Sequence, residues 1–252
     1  MFINVASLRI RYECAGEGKP IVLLHGWGTH LGSLYPLIKH ISSYRKVYAL
    51  DLPGFGQSDF PPNGWAVSDY ADLVLDFMAK CKIEKPDMLG HSFGGRITIK
   101  IAALHPEQIE SVILVDSAGV RQYETGWKYK LSRILAELGK PVVDRLPNIL
   151  RKNIRRRFYR TIGSTDYLNA GRLKETFGKV VSEDLESLLP SISAQTLLIW
   201  GEKDDATPLA DGQLMANKIP NSKLVVLPNA GHYSFLDQPA LVTQTLDNFL
   251  RH

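Results

Sequence analysis

The sequence predicts an α/β fold, a mostly parallel sheet covered by helices on both faces, and two observations predict it. Short apolar runs of strand length alternate with segments of helical periodicity through most of the 252 residues. Polar or glycine-containing loops follow several of the apolar runs, as they do at the carboxyl edge of a parallel sheet. Residues from about 119 to 190 break this rhythm, because they hold helical patterns, scattered proline and glycine, and few strand signals.

The elements follow in chain order. Residues 1–14 alternate in polarity and indicate an antiparallel hairpin of two strands. Six further strands are predicted at 20–24, 46–50, 86–89, 111–115, 195–200 and 223–227. Helices are predicted near 32–42, 68–82, 96–104, 208–218 and 238–250. Strands that alternate with helices in this way favour a parallel sheet.

One short stretch, Gly90-His91-Ser92-Phe93-Gly94, lies between a predicted strand and a predicted helix. It fits G-x-S-x-G, the nucleophile elbow, in which a sharp turn exposes the serine hydroxyl. The glycines are needed because side chains there would collide across so tight a turn. The motif is far more specific in this strand–turn–helix context than alone. We therefore predict that Ser92 is a nucleophile.

A serine hydroxyl needs a base to take its proton, and the base needs an orienting acid. With this elbow the acid and then the histidine follow the serine along the chain. Asp204 comes just after the strand at 195–200, and His232 comes just after the strand at 223–227. We predict that Asp204 orients His232 and that His232 is the general base.

A developing oxyanion requires N–H donors at the same sheet edge. The loop His25-Gly26-Trp27-Gly28 follows the strand at 20–24. We assign the donors to the backbone N–H groups of Trp27 and Phe93, the latter being the residue after the serine.

Together these segments resemble the α/β-hydrolase fold superfamily, in its small, capped, serine-dependent form. The matching segments run from the first strands to the last helix: His25-Gly26-Trp27-Gly28, Asp51-Leu52-Pro53-Gly54-Phe55-Gly56-Gln57-Ser58, Gly90 to Gly95, Trp200-Gly201-Glu202-Lys203-Asp204 and Gly231-His232. The resemblance implies an eight-stranded sheet, a core domain of residues 1–118 and 191–252, and a helical cap inserted at 119–190. The substrate is not implied, because this fold hosts many chemistries.

Two other carboxylates compete for the role of the acid. Asp205 is adjacent to Asp204, where many relatives carry an apolar residue or proline. Asp116 follows the strand at 111–115, a position that some members of the fold use. Three further polar residues are expected to support loops: Asp51 its own glycine-rich loop, His25 the oxyanion loop, and His91 the elbow.

The predicted cap is basic. Residues 121–190 hold 15 Lys plus Arg and 8 Asp plus Glu, a net charge of +7, whereas the remainder carries −3. The segment 150–162 places apolar residues every four positions, with its arginines elsewhere on the helix. A solvated outer face is the favoured interpretation. Attraction of anionic substrates or of an anionic membrane surface is the alternative. Some cap aromatics are candidates to line an apolar pocket: Tyr123, Trp127, Tyr129, Phe158, Tyr159 and Phe177.

Composition agrees with a globular enzyme, since hydrophobic residues make up 44% and charged residues 22%. No apolar run approaches the length of a membrane span, and the N-terminus lacks a secretory signal pattern. Cys14 and Cys81 suggest no disulfide framework. We expect a cytoplasmic monomer or homodimer that acts on a small molecule. It would need no cofactor or metal, bind no nucleic acid and insert into no membrane.

The predicted activity is that of a carboxylic-ester hydrolase acting on small apolar esters through an acyl-enzyme on Ser92. Two alternatives stay open. One is a carbon–carbon bond hydrolase of ring-cleavage products, with the same triad. The other is a ligand receptor or regulator that retains the triad and turns over slowly.

Overall fold

The structure is a computed structural model that describes residues 1–62, 64–120 and 170–251. Met1–Val120 and Leu173–His252 group as one compact unit, and Arg121–Arg172 groups separately. Residues 121–169 of the expected cap lie outside the described part of the chain. Its boundaries at 119 and 190 therefore stay a prediction.

In the described residues, eight strands form one sheet in the order β1-β2-β4-β3-β5-β6-β7-β8. Their bounds are β1 Phe2–Val5, β2 Leu8–Ala15, β3 Pro20–Leu24, β4 Lys46–Leu50, β5 Asp87–His91, β6 Ser111–Val115, β7 Gln195–Gly201 and β8 Ser222–Leu227. β2 is antiparallel to both β1 and β4, and the remaining neighbours are parallel. The predicted eight-stranded, mostly parallel sheet is confirmed.

The described α-helices are α1 Tyr35–Ile41, α2 Val67–Lys80, α3 Phe93–Leu104, α4 Lys174–Ser182, α5 Leu209–Lys218, α6 Ser234–Asp237 and α7 Pro239–Leu250. Short 3-10 helices span Leu31–Leu34, Pro106–Gln108, Gly171–Leu173 and Glu186–Ser191. None of these described helices is both long and apolar enough to cross a membrane.

One predicted helix is divided in the structure, and another is observed to within one residue of its predicted bounds; both have a proline in the first turn. The helix expected near 32–42 is a 3-10 turn followed by α1, which carries Pro36 in its first turn. The helix expected near 238–250 begins at Pro239, and the separate α6 ends just before it. Proline lacks an N–H and tolerates the first turn of a helix, so it marks a beginning rather than a continuation.

The sheet has a core on each face, as the alternation of its strand residues requires. Val22 and Leu24 belong to one cluster of buried side chains, and Ile21 and Leu23 belong to the other. The first cluster is closed by α2, α3 and α5, and the second by α1, α6 and α7. Helices therefore cover both faces, as predicted.

The parallel strands end together at one edge of the sheet. The register pairs Leu24 of β3 with Gly90 of β5, and Gly201 of β7 with Leu227 of β8. The loops after β3, β5, β6, β7 and β8 therefore meet there. The site residues predicted from the sequence lie in these loops, except Phe93, which is the first residue of α3.

Candidate active site

Ser92 forms the turn between β5 and α3. Its backbone has φ 51° and ψ −112°, a conformation that residues other than glycine rarely adopt. Three backbone hydrogen bonds hold it: Ser92 N–H donates to Val115 O at 3.2 Å, and Gly95 and Ala118 N–H groups donate to Ser92 O at 3.0 and 3.1 Å. Strain of this kind costs about 1–3 kcal/mol and persists where the surroundings enforce it. The strand–turn–helix context that the motif requires is therefore present.

The glycines of the elbow leave no room for a side chain. A Cβ atom on Gly90 would lie 2.5 Å from Gly94 O, within the turn itself. On Gly94 it would overlap Leu24 O of β3, and on Gly95 it would overlap Ser117 Oγ. These approaches bring α3 close to the ends of β3 and β6. The elbow therefore depends on glycine for space.

Ser92, His232 and Asp204 form one hydrogen-bonded line. His232 Nε2 lies 3.0 Å from Ser92 Oγ, and His232 Nδ1 lies 2.9 Å from Asp204 Oδ2. The side chain of Asp204 is fully buried, whereas that of His232 is 21% exposed. Because the carboxylate can only accept, Nδ1 carries the proton and Nε2 is left to accept from the serine hydroxyl.

Asp204 is surrounded by donors. Its Oδ1 accepts the N–H groups of Ala206 at 2.8 Å and Thr207 at 2.9 Å, and its Oδ2 accepts the Thr207 hydroxyl at 2.6 Å besides His232. Burial acts to raise the pKa of Asp204, but the hydrogen bonds from His232 and Thr207 outweigh it and hold the pKa below its ordinary value. Asp204 is therefore an ionised partner for His232.

The two competing carboxylates lie elsewhere. Asp205 is exposed. Asp116 is buried, and its two oxygens accept the N–H groups of Gly201 at 2.8 Å and Ser234 at 3.0 Å. Burial raises the pKa of Asp116 to about 7. Asp116 thus links the loop after β7 to the loop after β8. The carboxylate that accepts the hydrogen bond from His232 Nδ1 is that of Asp204.

The loop after β3 and the first residue of α3 carry the predicted oxyanion donors, Trp27 and Phe93. In the described part of the chain, the N–H groups of Trp27 and Phe93 donate to no protein acceptor. His25 braces this loop: its Nε2 accepts Leu52 N–H at 3.0 Å, so its Nδ1 carries the proton and donates to Gly26 O at 2.8 Å. Burial lowers the pKa of His25 to about 4, which keeps the ring neutral.

Asp51 organises the glycine-rich loop after β4, as the sequence predicts. Its Oδ2 accepts Gln57 N–H at 2.8 Å, and its Oδ1 accepts Leu31 N–H at 2.8 Å. A Cβ on Gly56, which has φ +55°, would overlap the Asp51 carboxylate. The loop therefore folds closely around this buried side chain.

His91 lies beneath His232. Its Nε2 donates to His232 O at 2.9 Å, and the two rings are 5.0 Å apart. Its Nδ1 is buried and has no hydrogen-bond partner in the described chain. Burial, followed by the charge of His232, lowers the pKa of His91 to about 3. A neutral His91 therefore supports the backbone of the predicted base, a contact that the sequence analysis did not foresee.

An aromatic cluster borders the oxyanion loop. Trp27 packs edge-to-face on Phe55 at 4.9 Å, on Phe177 of α4 at 5.0 Å and on Phe93 at 5.3 Å between ring centroids. Trp27 and Phe177 are both half-buried. These four rings form one apolar cluster, which includes Phe93, the residue after Ser92. The other predicted cap aromatics and the basic residues 151–157 lie outside the described residues.

Thr207 is a polar residue at the centre of the site that was not predicted from the sequence. Thr207 is buried and its hydroxyl contacts Asp204, His232 and the backbone of Asp116. Its position three residues after Asp204, where a hydroxyl can reach back to a carboxylate, was the available signal. Among the described side chains there is no group of three His, Cys, Asp or Glu suited to a metal ion.

Similarity to known proteins covers almost the whole chain. The sequence profile of the alpha/beta hydrolase fold matches residues 19–239. The dihydrolipoyllysine-residue acetyltransferase component of the acetoin cleaving system from Pseudomonas putida is 31% identical over 95% of this chain. The match spans 66% of that relative, so the chain corresponds to somewhat less than two thirds of its length.

Two enzymes match over nearly their full length. The pimeloyl-[acyl-carrier protein] methyl ester esterase of Aeromonas hydrophila is 27% identical over 96% of this chain and 100% of that one. The 2-hydroxymuconate semialdehyde hydrolase of Pseudomonas sp. strain CF600 is also 27% identical, over 98% and 92%.

Among solved structures, the enol-lactonase from Burkholderia xenovorans LB400 superimposes with a TM-score of 0.78 over the full length of both chains. Its 24% identity makes this a likeness of fold. The strand order, the strained turn at Ser92 and the family profile over residues 19–239 agree, and the chain belongs to the alpha/beta hydrolase fold family.

Proposed function

We propose that this α/β hydrolase is a serine hydrolase of carboxylic esters, with Ser92 as nucleophile, His232 as general base and Asp204 as orienting acid. The observation that carries the proposal is the line from Ser92 Oγ through His232 to Asp204, with hydrogen bonds of 3.0 and 2.9 Å. Each member has the partner that its role requires, and the strained turn directs the serine hydroxyl to the sheet edge.

In the first half of the reaction, Ser92 Oγ attacks the ester carbonyl carbon and its proton passes to His232 Nε2. The carbonyl oxygen becomes an oxyanion that the N–H groups of Trp27 and Phe93 stabilise. Ionised Asp204 stabilises the imidazolium through Nδ1–H. His232 Nε2–H then protonates the leaving alkoxide, the C–O bond breaks, and the acyl group remains on Ser92.

In the second half, His232 takes a proton from water, and the resulting hydroxide attacks the acyl carbon. The second oxyanion collapses, the Ser92 ester bond breaks, and Ser92 Oγ recovers its proton from His232. Every proton transfer in these steps uses His232 Nε2, so the proposed reaction requires no cofactor.

Two observations favour small apolar esters as substrates. The wall of Trp27, Phe55, Phe93 and Phe177 includes the residue after the nucleophile, and Trp27 and Phe177 in it are only half-buried. A relative of full length is an esterase that acts on a methyl ester. An acyl or alkoxy group of limited size would bury its surface against this wall.

A carbon–carbon bond hydrolase is the second candidate, and the similarity to the 2-hydroxymuconate semialdehyde hydrolase favours it. Its substrates would carry a carboxylate, which would be attracted by five basic residues of the predicted cap: Arg151, Lys152, Arg155, Arg156 and Arg157. The two candidates share the nucleophile and differ in the bond that is cleaved.

The test compares kcat/KM for short p-nitrophenyl esters with that for a vinylogous diketone acid, at low and high salt. The ester hydrolase prefers the neutral esters, and its preference barely changes with ionic strength. A preference for the anionic diketone that falls with salt, and is lost when Arg155, Arg156 and Arg157 are neutralised together, would move the carbon–carbon hydrolase to first place. Failure to turn over either substrate would favour a receptor.

A further inference from the structure

The Thr207 hydroxyl occupies the junction of the acid and the base. Its Oγ1 lies 2.6 Å from Asp204 Oδ2, 3.3 Å from His232 Nδ1 and 3.0 Å from Asp116 O. Thr207 is buried, and its own N–H donates to Asp204 Oδ1 at 2.9 Å. Thr207 therefore contacts both oxygens of the Asp204 carboxylate: its backbone N–H reaches Oδ1 and its side-chain hydroxyl reaches Oδ2.

The single hydroxyl proton can go to one acceptor only. If it pointed to Asp116 O, two oxygen lone pairs would face each other at 2.6 Å between Thr207 and the ionised Asp204. Donation to Asp204 Oδ2 removes that repulsion, and 2.6 Å is the usual distance of an O–H···O⁻ bond. The hydroxyl thus donates to the oxygen that also receives His232 Nδ1–H.

We propose that Thr207 is a positioning residue: its hydroxyl holds the Asp204 carboxylate in the orientation that receives His232 Nδ1–H, and it shares Oδ2 with the imidazole. The inference rests on the proposed function, since it acts through Asp204 and His232. Without the hydroxyl the carboxylate keeps its bonds from the N–H groups of Ala206 and Thr207, but Oδ2 has His232 alone.

This arrangement predicts a pH signature. A carboxylate that has lost a hydrogen-bond donor attracts the imidazolium proton of His232 more strongly. Because the base must be neutral, the acid limb of the pH profile moves to higher pH. Loss of packing alone would lower the rate without moving that limb.

Other titratable groups lie near Asp204 and His232. They are His91 at the end of β5, Asp116 after β6, and Asp211 on α5, which itself faces Arg96 of α3. The pKa of His91 is near 3, that of Asp116 about 7 and that of Asp211 about 6, in each case mainly because of burial. All remain in the Thr207 variants, so their titrations affect the wild type and the variants alike.

The experiment measures the rate at which a fluorophosphonate labels Ser92, from pH 5 to pH 9, in the wild type, Thr207→Val and Thr207→Ser. Labelling needs only the nucleophile and its base, so the physiological substrate need not be known. Thr207→Val should slow labelling about 10- to 100-fold, the range for a lost hydrogen bond to a charged group. Its acid limb should move to higher pH, while Thr207→Ser keeps both the rate and the limb near those of the wild type.

Hydrolysis of a p-nitrophenyl ester provides a second readout. Thr207→Val should lower kcat and leave KM near the wild-type value, because Thr207 acts through Asp204. Circular dichroism and the Tm establish that the variant is folded. If Thr207→Val does not fold, Thr207→Ala removes the same hydroxyl without adding a methyl group in its place, and it is compared with Thr207→Ser in the same way.

An unshifted acid limb in the folded variant that lacks the hydroxyl overturns the proposal, as does an equal loss in Thr207→Ser. Both results leave the wild-type labelling of Ser92 intact. A wild-type protein that is not labelled at Ser92 instead overturns the proposed function.

Discussion

The exchange of Asp204 for asparagine, compared with the same exchange at Asp116 and Asp205, separates the three acids that compete for the role in the sequence. In the Asp204→Asn variant the amide oxygen can still accept the N–H groups of Ala206 and Thr207 that now reach Oδ1. The NH2 group of the asparagine then takes the place of Oδ2, the oxygen that lies 2.9 Å from His232 Nδ1 in the wild type. It donates where the carboxylate accepted, so Nδ1 loses its proton and Nε2 gains one.

A histidine protonated at Nε2 cannot take the proton of Ser92. The expected loss in kcat is about 10,000-fold, the scale known for a neutralised triad acid, which corresponds to about 5.4 kcal/mol of transition-state stabilisation. Asp116→Asn should cost less than about tenfold, because Asp116 accepts hydrogen bonds from Gly201 and Ser234 and none from the imidazole of His232. Asp205→Asn is the matched surface control, since Asp205 is adjacent and exposed.

The assay is the steady-state hydrolysis of a p-nitrophenyl ester at pH 8 by all three variants, each shown to be folded by circular dichroism. A crippled Asp116→Asn beside an active Asp204→Asn would refute the assignment. Equal losses in Asp204→Asn and Asp205→Asn would show that the buried contact with His232 has no special role.

Two further predictions concern stability. Because burial raises the pKa of Asp116 from near 3.8 to about 7, the folded state binds a proton that the unfolded state releases. The wild type should therefore lose up to about 4 kcal/mol relative to Asp116→Asn between pH 4 and pH 7, as measured by urea unfolding; parallel pH curves would contradict this. Gly90→Ala should lower the Tm and abolish activity, because its Cβ would lie 2.5 Å from Gly94 O. The control Gly178→Ala, in α4 with no atom within 4 Å of the new Cβ, should be neutral or stabilising by up to about 1 kcal/mol; equal effects would argue against the tight elbow.

The fold was largely predictable because its signals are local. Each strand is an apolar run bounded by loop residues, and β3, β4 and β6 have the predicted bounds. Glycine at 90 and 94 marks a close approach that no other residue permits. The helix predicted near 238–250 matches α7 to within one residue. The one predicted near 32–42 is interrupted, because its apolar period continues across Pro36, which lies in the first turn of α1 after a separate 3-10 turn.

The site residues were predictable only where the order of motifs and strands along the chain identifies them. Ser92, Asp204 and His232 follow separate strands, and the parallel sheet brings those strand ends together. The role of Asp116 as a bridge between loops, and the contacts of Thr207 and His91, depend on distances across the fold. No periodicity or spacing encodes those distances, so the sequence could offer Asp116 only as a competing acid.

The proposed function requires Ser92 to be an activated nucleophile, and covalent labelling detects such a serine without knowledge of the substrate. The protein is treated with a fluorophosphonate, and the adduct is located by peptide mass spectrometry in the wild type and in Ser92→Ala. We expect one adduct, on Ser92, and none in Ser92→Ala, which should stay folded because it loses a single hydroxyl. An adduct on another residue, or labelling that persists in folded Ser92→Ala, would contradict the proposed function.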